Sequence, residues 1–139
     1  MEHFKDLQKA QDWAKWLCHK YRQQEAHYGV VHGPDDDYVV CDTEMANELE
    51  TGFITEPVDY SNMSYDHIRS IRSDEKMLNF WEETAGAFSA MHGETLRFLL
   101  KNKVPIDKWI CYELASRGYD ENHQWVGFDT AEKIWLTDN

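Results

Sequence analysis

The run YGVVHGPDDDYVVC, Tyr28 to Cys41, decides the fold class. Two short stretches rich in Val and Tyr flank His32-Gly-Pro-Asp-Asp-Asp37, and β-formers split by Gly, Pro and Asp are the pattern of a β-hairpin. The sequence on either side reads mainly as helix. The expectation is therefore an α+β, mainly helical domain of four to five helices with one small hairpin near residues 28–41. A length of 139 residues suits one globular unit, 1–139, able to bury a core without staples. No linker, repeat or low-complexity tract interrupts it.

The hairpin lies inside a longer stretch, Gln23 to Ile68, that holds no Lys or Arg. It carries Glu25, Asp35, Asp36, Asp37, Asp42, Glu44, Glu48, Glu50, Glu56, Asp59 and Asp66, eleven acids of a chain whose formal net charge is −12. Such charge repels phosphate and anionic lipid, so neither direct nucleic-acid nor membrane binding is expected. A basic protein surface is the expected partner. The candidate partner-binding residues are Asp35, Asp36, Asp37, Asp42, Glu44, Glu48, Glu50, Glu56 and Asp59, with Tyr38 and Tyr60 as aromatic anchors among them.

These residues suggest an acidic binding or inhibitor protein, a nucleic-acid mimic that blocks a DNA- or RNA-binding enzyme. Carboxylates held on a hairpin, a helix and a loop present negative charge at intervals comparable to phosphates, about one per 1.7 Å of duplex axis. Small acidic proteins of mobile elements that block nucleases share this general character. The alternative is an interaction or scaffold module that uses aromatic residues such as Trp125 and Phe128. A third reading is a small enzyme or metal protein with a site near His27 and His32.

The helices follow from spacing. Phe4, Leu7, Ala10, Ala14, Leu17, Cys18 and Tyr21 recur at three- and four-residue intervals and predict a helix from His3 to about His27, while Trp13 and Trp16 widen the stripe enough for two neighbours. Asp42 or Thr43 caps a short helix through about Glu50, ended by Gly52. Ser64 caps a turn through Ile71. Ser73 is read as the start of the longest and most central helix, which carries Met77, Phe80, Trp81, Phe88 and Met91. Gly86 there suggests close packing of another helix. Pro105 opens a helix that Gly118 stops, and Asp129 caps the last. The predicted core is Phe4, Leu7, Leu17, Phe80, Trp81, Phe88, Leu96, Trp109, Ile110, Leu114 and Trp135.

Catalytic signals are weak. His27, His32 and Asp35 to Asp37 offer imidazole and carboxylate, but five residues across a change of structure is no recognised ligand spacing, and the Asp triplet lacks the alternation of an EF-hand loop. Cys18 and His19 are helix neighbours and point apart. No phosphate loop, nucleophile elbow or His-Glu-x-x-His run occurs. No catalytic residue, metal ligand or cofactor is assigned, and catalysis is not the expected role.

The segment MEHFKDLQKAQDW has no apolar core like that of a secretory signal, and no run is long enough to span a bilayer. Cys18, Cys41 and Cys111 are odd in number and widely spaced, so reduced thiols and a cytoplasmic setting are expected. Mean hydropathy is −0.72, yet 14% of residues are aromatic, which argues for amphipathic elements rather than disorder.

Overall fold

The computed structural model describes residues 2–55 and 59–137. They form a mainly helical α+β protein with seven α-helices and a three-stranded antiparallel sheet. Two compact units divide the chain, Met1–Gly86 and Ala87–Asn139.

The first unit begins with β1 (Glu2–Phe4) and α1 (Leu7–Lys20), whose N-cap is Asp6. A 3-10 turn, Arg22–Gln24, leads to β2 (Tyr28–His32) and β3 (Tyr38–Asp42), the hairpin read from the sequence. The sheet order is β1-β3-β2. β1 was not anticipated, because three residues are too few to show alternation; it pairs with the open edge of β3 and sets Glu2 opposite Val40. The first helix is correspondingly shorter than its periodicity implied.

Alternation along β3 sorts the core into two sides. Val40 and Val30 pack under Ala10 and Ala14 of α1, where two alanines let helix and sheet approach closely. Val39, Cys41 and Val31 pack on the other side against Ala46, Met45 and Phe53. Gly29 is required there, since a Cβ would lie 2.5 Å from the Phe53 ring. Ala46 belongs to α2 (Thr43–Glu48), capped by the Asp42 carboxylate on Met45 N–H at 2.8 Å.

α2 does not run to a glycine stop. Glu50, two residues before Gly52, takes a left-handed φ of 53°, and Thr51 N–H closes on Ala46 O at 3.1 Å. Then come α3 (Tyr65–Ser73), capped by Ser64 as expected, and α4 (Asn79–Ala90). The Ser73 region is no helix start: Asp74 turns the chain by accepting from Lys76 N–H, and α4 begins at Asn79. α1, with 14 residues, is longer than α4, with 12. No residue of α4 is fully buried, and Gly86 faces open space instead of another helix.

In the second unit α5 (Gly93–Lys101), α6 (Ile106–Ser116) and α7 (Phe128–Trp135) follow. Ala115 and Ala131 are its buried apolar residues among those described. Gly118, at φ 75°, stops α6 as predicted, and the Trp125 ring lies against it. Trp135 Nε1–H donates to Tyr119 O at 2.8 Å. Gly127, not Asp129, occupies the N-cap of α7.

The predicted core is corrected accordingly. Phe4, Leu7 and Leu17 are half-buried against the α1 side of the sheet. Phe80, Trp81, Leu96, Leu114 and Trp135 are also half-buried, whereas Phe88, Trp109 and Ile110 are exposed. Valine and alanine fill the actual core, because small and β-branched residues suit close helix–sheet packing better than the bulky rings that dominate a hydropathy reading.

Candidate interaction surfaces

The acids predicted to bind a partner divide into two groups. Asp37 is buried, and His3 Nδ1 lies 2.9 Å from its Oδ2. That hydrogen bond holds the Asp37 carboxyl below its ordinary range. Its Oδ1 is buried without a partner. Asp42 caps α2. Asp59 accepts from Ser61 Oγ at 2.6 Å and from Ser61 N–H at 3.1 Å, which likewise lower its carboxyl. These three hold local structure. Asp35 and Asp36 at the hairpin tip, and Glu44, Glu48 and Glu50 on and just after α2, are exposed. Glu56 lies outside the described residues.

The two tyrosines are less available than predicted. Tyr38 is half-buried against the core. Tyr60 is half-buried, and its hydroxyl donates to Asp12 Oδ1 at 2.8 Å. Burial first, and then that carboxylate, push the phenol far above its ordinary range.

Asp12 was not singled out in the sequence. Only 2% exposed, it accepts from Tyr60, from His67 Nε2 at 2.9 Å and from Trp81 Nε1 at 3.2 Å. A carboxylate only accepts, so the His67 ring carries its proton on Nε2 toward Asp12. The signal for this second buried face of α1 was Trp16, one turn after Asp12, which stacks on Phe80 with ring centres 5.0 Å apart. Lys15 Nζ sits 3.5 Å from the centre of the Tyr60 ring. Burial lowers its pKa although Asp12 and Asp59 oppose the shift. The carboxylate orients an imidazole, but no Ser, Thr or Cys side chain among the described residues bonds to that ring. The cluster ties α1 to α3 and α4.

The His27 and His32 site does not assemble. His27 precedes β2 and His32 is its last residue, a separation of roughly 16 Å at strand rise. Their rings pack on different aromatics, His27 on Phe53 and His32 on Tyr38. Among the described residues no group of three His, Cys, Asp or Glu side chains could hold a metal ion.

The second unit presents the larger anomaly. On α6, Ile106, Trp109 and Ile110 recur at helical spacing on the side opposite Ala115. All three are exposed, Trp109 to 67%. Phe98, Leu100, Tyr112, Trp125 and Phe128 of the same unit are exposed as well. Trp125 and Phe128 form an edge-on pair with centres 5.3 Å apart. Scattered apolar exposure is ordinary, but so many large exposed side chains on one small unit exceed it.

No helix of the described residues is long and apolar enough to cross a membrane. Compared with known proteins, the chain matches no family model, no curated protein and no solved structure.

Proposed function

We propose that this protein is a binding protein that docks an apolar groove set in a basic protein surface, with the outward face of α6 as the main contact. The observation that carries the reading is the solvent-facing Ile106, Trp109 and Ile110 stripe. Five further exposed aromatics of the second unit, Phe88, Phe98, Tyr112, Trp125 and Phe128, add apolar surface beyond that stripe. Trp and Tyr are also the residue types that dominate binding energy at interface centres.

Charge supports a basic partner. The unit Met1–Gly86 holds 18 acids and 8 bases, and Ala87–Asn139 holds 8 acids and 6 bases, so the first carries −10 of the −12. Asp35, Asp36, Glu44, Glu48 and Glu50, fixed on folded elements, supply long-range attraction to such a partner. A nucleic-acid-binding enzyme is the class of protein with that surface. Occupying its groove makes this chain an inhibitor acting as a nucleic-acid mimic.

The test separates the two contributions after affinity capture from the native host. Trp109→Ala with Ile110→Ala is expected to speed dissociation about tenfold or more with little change in association. Asp35→Asn, Asp36→Asn, Glu44→Gln and Glu48→Gln together are expected to slow association and flatten its salt dependence. Binding kinetics untouched by both sets overturn the reading. A dimer seen by sedimentation that Trp109→Lys dissociates also overturns it, because the face would then belong to a second copy.

A further inference from the structure

An open cleft of about 380 Å³ is lined by α1, the sheet and α2. Trp13, Leu17 and Tyr21, spaced by four residues, form a row along one flank of α1 and its C-cap. Across from them, Tyr28 on β2 is the cross-strand neighbour of Asp42 on β3, and Glu2 on β1 lies opposite Val40. Period-two alternation puts Asp42 and Val40 on the same face, the one turned toward α1. The Tyr21 and Tyr28 rings are tilted by 34° with centres 6.0 Å apart. Cys41 and Met45, which belong to the other side of the sheet, complete the lining, which includes two carboxylates and no Lys or Arg.

Each part of this lining favours the same chemistry. The faces of Trp and Tyr rings carry negative quadrupole charge and attract a cation set over them. Glu2 and Asp42 add full negative charge, while apolar Leu17, Val40 and Met45 disfavour a strongly hydrated head. Lys20 Nζ, which stands 5.5 Å from the Tyr21 ring centre, swings clear of it when the ligand binds. A quaternary ammonium is the cation that combines charge with an apolar, donor-free surface. The volume falls in the small-ligand range, roughly 300–1,000 Å³.

We propose that this cleft binds a small molecule carrying a quaternary ammonium head, held over Trp13, Tyr21 and Tyr28 with Glu2 and Asp42 as counter-charges. The site shares no residue with the α6 face and does not depend on the proposed docking function.

The probe is choline, titrated into the isotope-labelled 139-residue chain and followed by NMR. Saturable shifts are expected to centre on Trp13, Tyr21, Tyr28 and Asp42, with Kd in the range of about 1 mM or tighter. The neutral tert-butyl isostere of choline has the same shape without the charge, and is expected to bind about tenfold more weakly. Glu2→Gln with Asp42→Asn should weaken choline by a similar factor. Asn remains a good helix cap, so the double variant keeps α2. Tyr21→Ala, outside the sheet, should weaken it further. No saturation by roughly 20 mM choline, well above a 1 mM Kd, overturns the proposal. So does equal binding of the neutral isostere, or shifts unchanged in the two variants.

Discussion

Asp12 Oδ2 receives the Nε2–H of His67 at 2.9 Å across 55 residues of sequence. Tyr60 and Trp81 donate to the same carboxylate, so one side chain of α1 fixes the loop before α3, α3 itself and the start of α4. The end of the base-free acidic stretch is thereby held by an acid that lies outside it.

Removing that acceptor strands three donors, all on half-buried side chains. Asp12→Ala is expected to lower unfolding free energy by about 3–5 kcal/mol, the range for breaking a buried charged cluster. Asp12→Asn should cost somewhat less, because one oxygen survives while its amide nitrogen meets a donor. Urea denaturation monitored by Trp fluorescence measures both. A loss under about 1 kcal/mol for the alanine variant would mean that the cluster is solvated or easily rearranged.

Acid sensitivity follows from carboxylates engaged in the folded state. Asp37, Asp59 and Asp74 all sit below their ordinary value of 3.8, held there chiefly by His3, Ser61 and Lys9 respectively. A carboxyl depressed on folding stabilises the protein above its unfolded pKa, and that contribution is lost as pH falls through the folded value. Stability is therefore expected to hold near pH 5 and to decline below about pH 3.8. Asp37→Asn should reduce the difference between urea midpoints on the two sides of that value. A difference as large as in the unaltered chain would show that Asp37 does not contribute to the acid response.

The hairpin was legible because both its strands and its turn obey local rules, and the caps at Asp42 and Ser64 were legible because a cap acts within three residues. Long-range uses of the same residue types were not. Asp37 looks in sequence like Asp35 and Asp36, yet His3, 34 residues away, recruits it into structure. The Trp109 and Ile110 stripe has the spacing of a buried face, and periodicity reports that a helix has an apolar side without saying what covers it. Glu2-His3-Phe4 became a strand only because β3 offered an unpaired edge.

Thiol chemistry offers a check on the sheet. Cys41 is buried between the sheet and α2, and that burial, with Asp42 beside it, raises its thiol pKa. Thiolate is the reactive form, so Cys41 is expected to resist alkylation in the native protein near neutral pH. Cys18 and Cys111 are half-buried and should react first. Mass spectrometry after a timed iodoacetamide pulse distinguishes the sites. Modification of Cys41 as early as Cys111 would contradict its placement.

α2 and α5 end by the same device with different residues. Glu50 N–H bonds Asn47 O and Thr51 N–H bonds Ala46 O, while Lys103 N–H bonds Leu100 O and Val104 N–H bonds Leu99 O. Each pair is a Schellman closure around a left-handed residue, Glu50 at φ 53° and Lys103 at φ 52°. Gly118 holds the corresponding place after α6 at φ 75°. A side chain in that conformation costs roughly 1–2 kcal/mol, partly offset in glycine by the greater entropy of its unfolded chain. Glu50→Gly and Lys103→Gly are therefore expected to stabilise the protein, each by about 0.5–1 kcal/mol. Gly118→Ala should do the reverse and more strongly, because its Cβ would also fall 2.3 Å from the Trp125 ring. Thermal or urea unfolding of the three variants tests the left-handed stops. Destabilisation by both glycine substitutions would place Glu50 and Lys103 in side-chain interactions stronger than the backbone strain they relieve.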